Sequence, residues 1–162
     1  MDVQFLRNSF RIMKENHALQ VLEALIGSEG THTSPSPYMQ WLNGRLLEAD
    51  EGRVKVGFKV RKEMCNPAMI LHGGVISGMI DEVVGIAVFS LGRDKFFTSV
   101  NLNVDFLRPA KLGEDISVTA KVVRSGSRII HVAAEMHKEE LLLARGQTNL
   151  IVTDDNLPQF KA

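Results

Sequence analysis

A helix that is apolar nearly all the way round can persist only where other structure encloses it. Residues 73 to 91 read as one. Val75, Ile76, Met79, Ile80, Val83, Val84 and Ile86 through Phe89 leave no strong polar face, and Gly92 is a natural stop. The rest of the chain is suited to enclosing it. Val100, Leu102, Val104 and Phe106 alternate with Ser99, Asn101, Asn103 and Asp105, the period of a strand with one buried face. Ile116, Val118, Ala120 and Val122 repeat the pattern. Ile130, Val132, Ala134 and Met136 make a third strand, and Leu142 to Val152 a fourth. Ahead of the helix, Val54, Val56, Phe58 and Val60 alternate with Arg53, Lys55 and Lys59. Residues 38 to 49 read as the hairpin partner of that strand, turning at A-D-E-G over 49 to 52. The joins K-L-G-E-D, R-S-G-S-R and H-K-E-E are short, which predicts antiparallel neighbours. The expected fold class is α+β: a curved antiparallel sheet wrapped around one long central helix.

An extra helix is expected at the N-terminus. Leu6, Phe10, Met13, Ala18, Val21, Leu22 and Leu25 fall at helical spacing, Gly27 and Gly30 stop the run, and T-H-T-S-P-S-P follows as a linker. The expected organisation is a helical extension over 1–30 and a main domain over 38–155. The extension would lay its apolar stripe on the core or on a second subunit. Nineteen basic and nineteen acidic residues balance, so no overall field attracts nucleic acid or an anionic membrane. Cys65 is the only cysteine, which excludes an internal disulfide framework. No apolar run approaches the ~18 to 20 residues of a membrane span, and the first residues lack a secretory pattern. These features predict a cytoplasmic protein with neither membrane nor nucleic acid as partner.

The chemistry is concentrated between Asn66 and Asp81, in N-P-A-M-I-L-H-G-G-V-I-S-G-M-I-D. Gly73 and Gly74 open the helix with no side chain between a ligand and the backbone. The first N–H groups of a helix have no intrahelical acceptor, and the dipole adds partial positive charge there. Such an end suits a developing oxyanion, whose stabilisation is often the main source of rate enhancement in acyl transfer. Asp81 is an acid in an apolar run, costly to bury unless paired or functional. Its carboxylate is a candidate either to activate water or to attack a carbonyl. The bland alternative is a small solvated stripe shared with Glu82. That residue lies ~100° round the helix, so the two acids form no acid–base dyad.

Asn66, His72-Gly73-Gly74 and Asp81 in this spacing resemble the hotdog-fold acyl-CoA thioesterases of the phenylacetate-pathway type, a group that includes thioesterase superfamily member 2. The likeness continues through T-S-V-N-L-N-V around Ser99, R-P-A-K-L-G-E-D-I from Arg108, R-S-G-S-R from Arg124 and A-R-G-Q from Ala144, covering roughly residues 40 to 153. His-Gly-Gly alone is weak; the ordered set is specific. The resemblance implies the hotdog fold and hydrolysis of acyl-CoA to a carboxylic acid and coenzyme A. Gly73 N–H would polarise the thioester carbonyl and Asp81 would serve the attacking water, with Asn66, His72 and Ser99 positioning the reactants. Arg108 and Lys111, with Arg124, Gly126, Ser127 and Arg128, would contact coenzyme A, whose phosphates suit basic side chains and loop N–H groups. No metal or redox cofactor is implied, coenzyme A being part of the substrate. The family also implies a homodimer or a homotetramer built as a dimer of dimers, with active sites shared between subunits. Helix geometry agrees. Gly73 and Asp81 stand about 12 Å apart along one helix, too far to serve one reacting centre within ~3 Å.

Simpler roles stand beside these. Asn66 can cap a loop beside Pro67, His72 can be structural, Ser99 can face solvent from a strand, and each basic residue can be ordinary surface charge. A Cys65–His72 nucleophile pair has no geometry in the sequence to support it. Two rivals keep the acyl thioester but change the role: a 3-hydroxyacyl thioester dehydratase of the same fold, and a non-catalytic acyl-CoA-binding protein. The H-G-G turn and Asp81 argue against the first, and Asn66 together with Asp81 against the second.

Overall fold

A computed structural model describes residues 16–30 and 34–156. Two short helices come first, α1 (His17–Ala24) and α2 (Pro37–Leu42). The hairpin β1 (Arg45–Asp50) and β2 (Arg53–Lys59) leads through a 3-10 turn at Lys62–Met64 to α3 (Gly73–Phe89). Then come β3 (Lys95–Phe106), β4 (Asp115–Ser125), β5 (Ile129–Lys138) and β6 (Leu141–Asn156). All six strands join one sheet in the order β1-β2-β4-β5-β6-β3, and every neighbouring pair is antiparallel.

The alternation in the sequence sets which face meets α3. Val54, Val56 and Phe58 of β2, Ile116, Val118 and Ala120 of β4, and Ile130, Val132, Ala134 and Met136 of β5 are all buried. They enclose Ile76, Met79, Ile80, Val83, Val84 and Ala87 on the inner face of α3. Burying each such aliphatic side chain contributes ~1.5 to 3 kcal/mol, so this one helix organises most of the core.

Four expectations need correction. The first concerns β3 and β4, which are joined by the short K-L-G-E-D link yet are not neighbours. Among the described residues β3 pairs only with β6, at the far edge of the sheet. The connection instead crosses the end of the sheet below the start of α3, where Leu71 N–H bonds Ala110 O at 2.8 Å and Gly113 N–H bonds Val60 O at 2.9 Å. Leu107 and Arg108 N–H groups bond Leu143 O on the other side. A sheet that must curl round a helix is closed by such a crossing, which strand alternation cannot reveal.

The second correction lies before β1, where residues 38 to 42 are helical rather than part of a strand. Ser36 caps α2 by accepting from Met39 N–H, Pro37 sits in its first turn, and Asn43 ends it in the left-handed region at φ 54. Six residues are too few to show a helical period, so only the punctuation marked it. The third concerns α3, which is not covered all round in a single chain. Gly74, Asp81 and Gly85 make an exposed stripe along it. The fourth, in β3, concerns Ser99 and is taken up with the site.

The described part of the N-terminal extension is α1, whose Leu22 is buried in the core; residues 4 to 15 of the expected helix lie outside the described residues. Asn16 caps α1 and its amide donates to Ser90 O at 2.7 Å, so the end of α3 also anchors this segment. Among the described residues no helix is long and apolar enough to cross a membrane.

Candidate active site

The start of α3 is built around His72. Its Nδ1 accepts the Gly74 N–H at 2.9 Å, and its carbonyl accepts the N–H groups of Val75 and Ile76 at 2.9 and 3.0 Å. With Nδ1 engaged as acceptor, the neutral ring carries its proton on Nε2. A side chain at Gly74 would have its Cβ 3.1 Å from His72 Nδ1, so the glycine permits the close approach. Of the four donors that a helix leaves without partners, three are taken here. The Gly73 N–H donates to no acceptor among the described residues.

Asn66 shapes the loop that leads to this end. Its side-chain oxygen accepts from Ala68 N–H at 2.9 Å and from Ile70 N–H at 3.4 Å, while Met69 turns through φ 59. The loop-capping role is thus filled by the oxygen, and the Asn66 amide NH₂ keeps its donors. His72 N–H bonds Met64 O, and Ile70 pairs with Lys111 of the crossing segment. Arg108 donates to Leu142 O at 2.9 Å. Lys111 and Arg108 therefore belong to this end of the molecule.

Asp81 is exposed, and its Oδ1 accepts a 2.9 Å bond from Ser99 Oγ. Strict alternation would point Ser99 away from Leu102. A register shift between Ser99 and Asn101 in the β3–β6 ladder brings it round. Ser99 then stands opposite buried Leu150 on the helix side, with Leu102 and Val104. The displaced residue is Val100, which is 54% exposed. On this same flank the ring of Phe106 covers Gly73, where an added Cβ would meet it at 3.3 Å.

The opposite flank of α3 is closed by α2. Ser36 Oγ donates to Glu82 Oε1 at 2.9 Å, and the Tyr38 hydroxyl lies where a Cβ on Gly78 would stand. Tyr38 stacks on Trp41 at 5.7 Å with an 11° tilt, and Arg61 sits 5.7 Å over the Trp41 ring while donating to the carbonyls of Trp41 and Leu42. Burial pushes the Glu82 carboxyl above its ordinary range. The Ser36 bond opposes the rise and the Asp81 charge adds to it. Burial also raises the Tyr38 phenol, with Glu82 adding to the effect.

The R-S-G-S-R turn lies beyond the C-terminal end of α3. Gly126 N–H closes it on Ile129 O at 2.9 Å, and Val152 N–H bonds Arg128 O at 2.9 Å. Arg93, which no motif in the sequence marks, donates to Gly126 O at 2.7 Å and to Ser125 Oγ at 2.5 Å. Seventeen residues of α3, about 25 Å of helix, separate this turn from Arg108 and Lys111. One chain therefore brings Asp81 to Ser99 and gathers Asn66, His72 and Gly73, but leaves the two groups apart. It likewise splits the expected coenzyme A residues between two ends. Cys65 forms no pair with His72, since its thiol faces Arg61 O at 3.4 Å while the imidazole Nδ1 is engaged with Gly74. Among the described residues no cluster is placed to hold a metal ion. An open depression of about 480 Å³ lies instead on the outer sheet face, lined by Arg45, Lys59, Asp115 and His137, and includes none of the candidate residues. A site completed only by a second chain would leave no closed cavity in one.

The chain is similar to known proteins in both sequence and fold. Residues 69–144 match the family model described as the thioesterase superfamily. Human acyl-coenzyme A thioesterase 13 is 32% identical over 104 residues, which span 63% of this chain and 74% of that protein. Zebrafish thioesterase superfamily member 2 superposes with a TM-score of 0.70 at 25% identity, over 85% of this chain and 97% of that one. The Escherichia coli PaaI protein from the phenylacetic acid degradation operon gives 0.74 at 21% identity, over 86% and 95% of the two chains. The sheet wrapped around α3 is the hotdog arrangement these proteins share.

Proposed function

This chain belongs to the thioesterase superfamily, and from that premise we propose how its residues divide the work of hydrolysis. It is an acyl-CoA thioesterase, converting an acyl-CoA and water to a carboxylic acid and coenzyme A. In our reading the Gly73 N–H receives the thioester oxygen as charge develops on it. Asp81, with one oxygen held by Ser99, keeps the other to take a proton from the attacking water. Asn66 NH₂ and His72 Nε2–H orient water and carbonyl, and collapse of the tetrahedral intermediate expels the coenzyme A thiolate. The observation that carries this reading is the one uncommitted N–H at the start of α3, on the same helix as a carboxylate left open to solvent.

The two groups come from different chains in this proposal. β3 is an edge strand of twelve residues whose outer side pairs with no strand among the described residues, the kind of edge that a second copy covers. Two copies related by a two-fold axis through that edge set their α3 helices antiparallel, so that Gly73 of one chain approaches Asp81 of the other. The same operation brings Arg108 and Lys111 of one chain toward the Arg124–Arg128 turn of its partner. Both halves of the expected coenzyme A site then meet.

Mixing two inactive variants tests this. Asn66→Ala and Asp81→Asn subunits, allowed to exchange at equal amounts, form mixed dimers with one intact and one doubly damaged site. About one quarter of all sites are then intact. Recovery near that share of parental turnover is the expected result. Verified mixed dimers with no recovery would place a complete site in each chain.

A further inference from the structure

We propose that Arg93 is a positioning residue for coenzyme A, acting through the Gly126–Ser127 peptide. The inference rests on the reading that the Arg124–Arg128 turn holds phosphate groups of the substrate. The guanidinium grips the turn twice, at Gly126 O and at Ser125 Oγ, and lies 5.7 Å over the ring of Phe97. Phe97 is buried and pairs with Val152, whose N–H holds Arg128 O from the other side. The turn is thus pinned by Arg93, just ahead of β3, and by β6.

The consequence for recognition follows from peptide geometry. In a trans peptide the C=O and the next N–H point in opposite directions, and the described residues contain no cis bonds. Drawing Gly126 O toward Arg93 therefore turns the Ser127 N–H away from it. That N–H donates to no acceptor among the described residues, and it belongs to the turn whose Arg124 and Arg128 side chains are exposed. A cation on the carbonyl also polarises the peptide, which makes its N–H a better donor to an anion. Gly126 is required by the same construction, because a Cβ there would lie 2.8 Å from the backbone oxygen of Ile129. Arg93 needs no contact with the substrate in this scheme. It holds one peptide plane in the orientation that a phosphate oxygen can use.

The test compares KM and kcat for one acyl-CoA and for the acyl-pantetheine carrying the same acyl group, which lacks the nucleotide phosphates. Arg93→Gln is expected to raise KM for the acyl-CoA about tenfold, the cost of losing a charge-assisted bond, with kcat held. Acyl-pantetheine kinetics should stay at parental values. Ser125→Ala removes one of the two anchors and should raise KM two- to threefold in the same selective way. Arg93→Lys, with no fork to span both acceptors, should fall between parent and Arg93→Gln. Inhibition by free coenzyme A should weaken in step with KM. Equal losses on both substrates, or an unchanged KM for acyl-CoA, would overturn the proposal. The double variant Arg124→Ala with Arg128→Ala separates the two levels. If it leaves KM for acyl-CoA unchanged, the phosphate reading of the turn falls and this inference with it. If it raises KM while Arg93→Gln does not, only the positioning role is lost.

Discussion

The two flanks of α3 carry adjacent acids in contrasting settings. On the β3 flank Asp81 is exposed, steadied by one hydroxyl, and faces a sheet edge that no other described strand pairs with. On the α2 flank Glu82 is half-buried, bonded to Ser36 and shut in by Tyr38 over Gly78. Residue type is nearly the same; what differs is what each flank leaves open. The closed flank holds α2 against the core, and the open flank leaves a carboxylate exposed to solvent. A carboxylate in such a helix is thus shut in or left open according to the side it falls on, a difference of ~100° of rotation, and the proposed chemistry uses the open one.

The largest expected effect that can break this contrast is Asp81→Asn. Asn is nearly isosteric but is no base at neutral pH, so kcat should fall ~10² to 10⁴-fold while the chain stays folded and binds substrate. A folded variant with parental turnover would remove Asp81 from the centre of the chemistry.

The two serines sharpen the contrast at the next level. Ser99→Ala removes the bond that orients Asp81 and is expected to lower kcat about tenfold with little change in melting temperature. Ser36→Ala removes the α2 cap and the Glu82 bond together. It should cost roughly 1 kcal/mol of stability, about 2 to 4 °C in Tm, with the smaller effect on kcat. Reversal of this order in paired melting and turnover measurements would mean the flanks have been assigned the wrong way round.

Glu82→Gln carries the smallest effect, and its sign depends on pH. Burial raises the folded value of Glu82 above the ordinary 4.5, so its contribution to stability is full below that pH and is lost as pH rises through the raised value. Gln still accepts the Ser36 hydroxyl but never ionises. The variant should melt with the parent near pH 4 and above it at pH 7. A variant equally displaced at both pH values would show that ionisation of Glu82 plays no part.

Much of this was legible in the residues, for identifiable reasons. Period-two alternation marks β2, β4, β5 and β6 because each has one face on α3 and one outside. The H-G-G start of α3 was legible because a helix opening at a site needs glycine where a side chain would collide. The bulge at Val100 was not, since a single inserted residue leaves the hydrophobic letters in place while turning Ser99 to the other face. Nor was the β3-to-β4 crossing, because a short join fixes distance but not partner. α2 was too short to show a period. Arg93 gave no signal at all; its role depends on two carbonyl and hydroxyl acceptors more than thirty residues away. That Gly73 and Asp81 stay apart in one chain was legible as well, because eight residues of helix at ~1.5 Å each fix their separation once the helix is recognised.

The long open edge of β3 has a consequence for how such a protein survives in a crowded solution. An uncovered edge of twelve residues is a template for any passing strand, and its exposed Phe96, Val100 and Phe106 would make a stray pairing adhesive. If the covering strand is another copy of the same chain, protection against misassembly and completion of the chemistry are one event. A lone subunit would then be both vulnerable and inert. Turnover at high dilution would follow the square of chain concentration, and any lesion that loosens the edge would be felt as aggregation and as lost activity at once.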